Sequence, residues 1–311
     1  MNAAPSRPSL PPTLVLLVGI LALSTGSILV RKTLVYAPPL VIATYRMIFA
    51  SLFLLPVVLR GHREELRNLS RKDLRLGLLS GLFFGVHLAA WITSLQFTSV
   101  ASSVALVSTT PLWVAVLSPF TLREPLQRQT LVGMAITLMG AVMVGLSDSC
   151  SWQVQGLSCP PMETFFGGKA IIGDLLAILG AVVAACYLLI GRNLRQRFSL
   201  VGYIFVMYGM SAVALIGFTI GAGYSLVGYP SQAFILFAAL ALVPQLIGHS
   251  SFNWALRYLP TALVSIGLLG EPVGSTMLAY LILEEVPSTF KLIGAGFILV
   301  GLVVASRTQP D

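Results

Sequence analysis

Charge is scarce in this chain of 311 residues: Asp, Glu, Lys and Arg together make up 10% of it, against roughly 25% in an ordinary soluble domain. Set beside 56% hydrophobic residues, that shortage excludes a soluble globular protein. The chain also lacks H-E-x-x-H, G-x-x-x-x-G-K-[ST] and G-x-S-x-G, so nothing in it implies a metal site, a phosphate loop, a nucleophile turn or any cofactor. No stretch is long enough for a soluble nucleotide-binding domain, which excludes an ATP-driven pump. Cysteine is nearly missing, and three residues cannot define a disulfide framework. Cys150 and Cys159 both fall in the longest connection, 147–169, and are candidates for a disulfide if that side is oxidising, with two free thiols as the alternative. Cys186 lies in a span and reads as a small apolar residue.

What is abundant is long apolar runs. Stretches of about 20 residues, the length that crosses the hydrocarbon core as helix, predict ten spans: 14–30, 39–59, 75–97, 100–120, 129–146, 170–190, 200–223, 232–255, 261–283 and 288–306. Hydrophobicity all round each run excludes a barrel, whose strands alternate. The net charge of +8 is a matter of topology. With the N-terminus inside, fourteen basic residues face the cytoplasm, four (Arg31, Lys32, Lys169, Lys291) face out, and Arg46 lies within a span. This bias predicts a multi-pass protein of the cell inner (plasma) membrane with both termini cytoplasmic, and the spread of the charge argues against nucleic acid as a partner. Residues 60–75 read as a solvated cytoplasmic loop that touches the lipid bilayer.

The chain also contains itself twice. A shift of 161 residues lays Leu95–Pro111 on Leu256–Pro272 without a gap, and carries Gly19 onto Gly180, Arg31 onto Arg192, Glu124 onto Glu285, Gly133 onto Gly294 and Gly140 onto Gly301. Two copies with an odd number of spans each must lie in opposite orientations, which is how many carriers alternate their access. The expected fold is therefore all-α and integral to the membrane, ten transmembrane helices in two inverted five-helix repeats.

A charge at the bilayer centre costs about 2.5–3.5 kcal/mol on insertion scales, so the ionisable residues within spans are the candidates for function. Arg46 and Glu271 stand out. Glu271 precedes Pro272, whose first-half counterpart is Pro111, and paired helix breaks in two repeats point to a central site. Gln245, His249 and Asn253 follow Pro244 at a spacing of four and would share one helical face. His87 and Trp91 form a smaller pair of the same kind. Structural alternatives stand beside each: an Arg46–Glu271 pair that only ties helices together, interhelical hydrogen bonds along the 245–253 row, a satisfied core histidine at 87. Glycines 133, 140, 267, 270, 274, 294 and 301 read as packing residues.

The runs Tyr45–Pro56, Pro111–Glu124 with Gly133–Ala141, and Gly270–Glu285 with Gly294–Gly301 resemble the EamA family of the drug/metabolite transporter superfamily, over nearly all of residues 13–306. The resemblance implies a cytoplasmic tail (1–12), a first EamA-type repeat (13–146), an outer loop (147–169), a second repeat (170–306) and a short cytoplasmic tail (307–311). It further implies that the fifth and tenth helices pack away from a central cavity, that Glu271 and Pro272 fall in the stretch lining it, and that Glu124 and Glu285 are acids kept at the ends of the fourth and ninth helices. The cysteine-bearing loop and the Gln245, His249, Asn253 row depart from the family pattern.

The expectation is a secondary transporter rather than an enzyme, exporting or exchanging amino acids or related small-molecule substrates, with protons as the candidate coupling ion. Glu271, His249, Asn253, Gln245, His87, Trp91 and Arg46 would form its site. The alternative from another class is a non-transporting membrane scaffold or accessory subunit, and an intramembrane enzyme using a histidine base lacks a nucleophile or metal set.

Overall fold

A computed structural model describes residues 10–122, 128–147, 151–153, 156–158, 168–259, 264, 268 and 270–306. Continuous apolar runs leave the backbone no solvent partner in a bilayer, and helix is the local solution that satisfies each peptide group. The helices are α1 (Pro12–Thr33), α2 (Pro39–Gly61), the short α3 (Arg63–Arg67), α4 (Arg71–Phe97), α5 (Val100–Val107), α6 (Thr110–Leu122), α7 (Arg128–Ser147), α8 (Lys169–Arg195), α9 (Leu200–Gly221) and α10 (Ser231–Leu240). A π-helix (Ala241–His249) then leads into α11 (Ser250–Ala255), followed by α12 (Gly270–Leu283) and α13 (Thr289–Ser306). Serine hydroxyls start three of them: Ser70, Ser99 and Ser199 each accept the amide three residues on, at 3.1, 3.1 and 3.0 Å, using an orphan donor of the first turn.

Among the described residues, seven helical stretches are long and apolar enough to cross a membrane, where the sequence predicts ten. The expected fifth and tenth spans contain the shorter apolar stretches Leu131–Val144 and Thr289–Gly301. The expected ninth falls partly outside the described residues, and its described helix begins at Gly270. Between α7 and α8 lies a small antiparallel hairpin, β1 (Ser151–Gln153) and β2 (Gly156–Ser158), with Trp152 opposite Leu157. Cys150, Cys159 and Glu124 lie outside the described residues.

The repeat has a physical trace in the packing. A methyl group on Gly140 would run into Gly294 and Ile298, and one on Gly301 into Gly133 and Thr137. Because the shift of 161 turns 133 into 294 and 140 into 301, these two close approaches are a single contact met from either half. Such self-reciprocity is what a two-fold axis produces, and the pairing of 140 with 294 and of 133 with 301 runs α7 and α13 antiparallel, with backbone close to backbone at the glycines. Gly19 of α1 likewise abuts Phe252 and Ser251 of α11, while its counterpart Gly180 of α8 abuts His87 of α4. Each half thus lays its first helix on the other half, and the buried core is built across that seam.

Candidate functional site

An opening lies on the seam. It has an empty volume of about 520 Å³ and takes its lining from every layer around it: Leu23 of α1, Arg46 of α2, His87 and Trp91 of α4, Val107, Ser108 and Thr110 at the α5–α6 junction, Tyr187 of α8, Pro244 and His249 of the π-helix, and Leu268 and Glu271 at the start of α12.

Both helix breaks open onto it. The chain leaves helix at Ser108 and Thr109, immediately before Pro111, and the hydroxyls of Thr109 and Thr110 donate to the carbonyls of Leu106 and Val107 at 2.7 and 2.8 Å. The Val107 carbonyl is the one that Pro111, lacking an N–H, leaves without its helical donor, while the Leu106 carbonyl also accepts the Thr109 amide at 3.1 Å. Pro272 stands in the first turn of α12, where its missing N–H costs nothing. Glu271 shares that turn, and its carboxylate faces the positive end of the helix dipole.

Pro244 has a different consequence. It cannot donate to the carbonyl four residues back, and the helix widens around it into a π-helical segment, closed by the Ser250 amide donating to the carbonyl of Gln245 five residues earlier. The register of the 245–253 row changes with it. His249 lines the cavity, whereas Gln245 stands behind it and accepts from Arg46 Nε at 2.9 Å. Asn253 turns toward its own helix, donating to the His249 carbonyl at 2.9 Å, while its backbone oxygen accepts from Arg195 Nε at 3.0 Å. Of the row, His249 is the residue that lines the opening.

Arg46 is fully buried. Its Nε is used on Gln245, its guanidinium carbon sits 5.8 Å from the centre of the Trp91 ring, and both Nη atoms lack a hydrogen-bond partner. Trp91 Nε1 and Gln245 Nε2 are buried and without a partner as well. Arg46 and Glu271 share the cavity, yet among the described residues no ion pair joins them.

His87 is anchored through Nδ1 to the Gly180 carbonyl at 2.9 Å and lies parallel to Trp91, their centroids 6.4 Å apart. His249 meets it edge-on at 6.2 Å and meets Phe84 at 5.0 Å. Tyr187, which packs edge-on against Phe84 at 4.9 Å, belongs to this aromatic wall, although the sequence offers no periodic signal to single it out. Of the other tyrosines, Tyr208 bonds Ser250 at 3.1 Å, Tyr45 stacks on Phe237 at 4.8 Å, and Tyr280 is exposed.

Known proteins resemble this chain in sequence and in fold. The family model described as the EamA-like transporter family matches residues 11–146 and again residues 171–307. Among similar chains, the uncharacterized transporter YetK of Bacillus subtilis is 24% identical over 306 residues, covering 94% of this chain and 86% of its own. The inner membrane protein YtfF of Escherichia coli is 23% identical, covering 89% and 92%. A protein of known crystal structure shares the fold with a TM-score of 0.63 at 21% identity, covering 94% of this chain and 96% of its own.

Proposed function

The chain belongs to the EamA-like transporter family, and from that membership we propose that it is a secondary carrier that exports or exchanges amino acids or related small metabolites by alternating access. The carrier is a ten-helix protein of two inverted repeats, 13–146 and 170–306, joined by the loop 147–169. The two repeats rock about the midplane of the inner membrane, with the tails 1–12 and 307–311 in the cytoplasm. The self-reciprocal packing of α7 on α13 supports the inversion.

The observation that carries the reading is the opening at the seam. It is lined from both halves, flanked by both helix breaks, and holds one arginine and one glutamate with no ion pair between them. Intramembrane charges of this kind mark substrate and ion pathways. Arg46, His87, Trp91, His249 and Glu271 contact the substrate, Gln245 and Asn253 support them from behind, and Glu271 carries the coupling proton.

Counterflow in proteoliposomes tests this. Purified protein loaded with unlabelled amino acids, nucleobases and cofactors should accumulate one labelled class saturably, and Glu271→Gln should reduce that accumulation to background while its melting stays cooperative. Unchanged kinetics in Glu271→Gln would remove the glutamate from the mechanism.

A further inference from the structure

We propose that the substrate of this cavity carries a carboxylate, seated across the two Nη atoms of Arg46, with the indole N–H of Trp91 as a flanking donor. The inference rests on the carrier reading above and names the chemistry of its ligand.

On Arg46 and on the two side chains it touches, Trp91 and Gln245, the buried atoms left without a hydrogen-bond partner are all donors. Arg46 Nη1 and Nη2, Trp91 Nε1 and Gln245 Nε2 are buried without hydrogen-bond partners. Arg46 and Gln245 are fully buried and Trp91 is 4% exposed. A guanidinium presents two edges that accept a bidentate partner, one through Nε and one across both Nη atoms. The 2.9 Å bond from Nε to Gln245 occupies the first edge, so the second remains. The guanidinium is also held in place, since Trp91 lies against it and is itself stacked parallel to His87, whose ring is bonded to the Gly180 carbonyl.

A fixed pair of parallel N–H donors matches the two oxygens of a planar anion. Leaving a buried guanidinium unmatched is costly, which makes the anion a requirement of the loaded state rather than an embellishment. Charge balance selects a monoanion. One cation, Arg46, and one carboxylate, Glu271, line the opening; with the coupling proton on Glu271 a monoanion neutralises the guanidinium, whereas a dianionic phosphate leaves a negative charge over.

The test is made on the ligand side with wild-type protein. Thermal unfolding of detergent-purified protein is followed with phenylalanine, 3-phenylpropionate, phenylalaninamide and phenethylamine, with the matched leucine, 4-methylpentanoate, leucinamide and isoamylamine series, and with phenyl phosphate. Each probe is also scored as a competitor in counterflow. Acids of a recognised scaffold should raise the melting temperature, and the matched amides and amines should bind at least about 30-fold more weakly, as expected for stripping the partner from a buried charge. Arg46→Lys, a point charge without the fork, should lose the same preference. Should Arg46→Lys fail to fold, the comparison of acid with amide decides by itself.

Amides or amines that bind as well as the acids, or a preference for phenyl phosphate, overturn the carboxylate assignment and leave the carrier reading intact. Failure of every probe and of the whole counterflow panel, with cooperatively melting protein, overturns the carrier reading together with it.

Discussion

Two clusters of polar side chains in this molecule, one partly exposed and one buried, are built on different principles. At the end of the bundle where α1 and α12 stop, Arg31 Nη2 donates to the Thr98 carbonyl at 2.7 Å and pairs with Glu285 Oε1 at 3.2 Å. The other oxygen of Glu285 accepts from the Val100 amide at 3.0 Å, Thr98 Oγ1 bonds Asp174 at 3.0 Å, and Lys291 Nζ bonds Ser99 at 2.8 Å. Glu284 takes a left-handed conformation, φ 57°, as the chain leaves α12, and the next amide, that of Glu285, reaches back to the Ala279 carbonyl. This strained cap, of a kind usually given to glycine, delivers Glu285 to its partners. Around Arg46, by contrast, one bond to Gln245 is made and four nitrogen atoms are left over. In the first cluster the chain pairs most of its polar groups, leaving Arg31 Nε over, and they hold the two halves together. In the second it withholds them, which is wasteful for a fold and appropriate for a binding site.

The largest test of that contrast is to replace each arginine by an apolar residue. Arg46→Met combined with Gln245→Leu removes a buried charge together with its bonded partner. Such replacements are neutral or stabilising by about 1–4 kcal/mol, so the double variant should melt no lower than wild type while transport disappears. Arg31→Met strips Glu285 and the Thr98 carbonyl of their donor. The pair is roughly a quarter exposed, and the cost should be about 1–2 kcal/mol of stability, with substrate affinity unaltered. Melting curves and substrate titrations on the two variants read the contrast directly; an unstable Arg46 variant that still binds would reverse it.

Much of this architecture is legible in the order of the residues. The shift of 161 relates the very glycines, 133 with 294 and 140 with 301, that meet across α7 and α13. Rare charges in apolar runs lead to Arg46 and Glu271, and prolines at equivalent positions lead to the two breaks. Of the 245–253 row, His249 lines the opening while Gln245 and Asn253 are not among its lining residues, and nothing in the spacing announces the π-helical widening at Pro244. What stabilises that widening is tertiary: Gly26 of α1 lets Pro244 approach closely, and Gly248 does the same for Leu23. Neither contact has a local signature. Tyr187 is one of four tyrosines in apolar runs, with Tyr45, Tyr208 and Tyr280, among which the sequence does not choose, since an aromatic in a span looks the same whether it faces lipid, core or cavity.

The α7–α13 pair sharpens the comparison from a third side, because it packs without charged groups. Gly140→Val would push a branched side chain into the Gly294 carbonyl and Ile298. Overpacking of this kind costs about 1–3 kcal/mol, so the melting temperature should fall while the dissociation constant for a bound acid remains at the wild-type value. A change in affinity would mean that the pair communicates with the cavity instead of serving as a frame.

The smallest expected effect lies at the opposite end of the bundle from Glu285. There Glu65 of α3 joins the halves by accepting from the amide and hydroxyl of Ser199 at 2.7 and 2.5 Å, with His62 Nδ1 at 3.1 Å. Partial burial pushes its carboxyl upward, but the hydrogen bonds from Ser199 and His62 outweigh that and hold it below the ordinary value of 4.5. A carboxylate lowered on folding stabilises the native state above its unfolded pKa. That contribution is lost as pH falls through the folded value. At 25% side-chain exposure, a partly solvated pair of this type contributes under about 1 kcal/mol. Wild type should therefore melt slightly above Glu65→Gln at roughly pH 7, with the gap closing as pH drops below about 4. A gap that persists through acid would assign the stabilisation to the shape of the Ser199 cap, and Glu65, unlike Glu285, would then hold the two halves together without its charge.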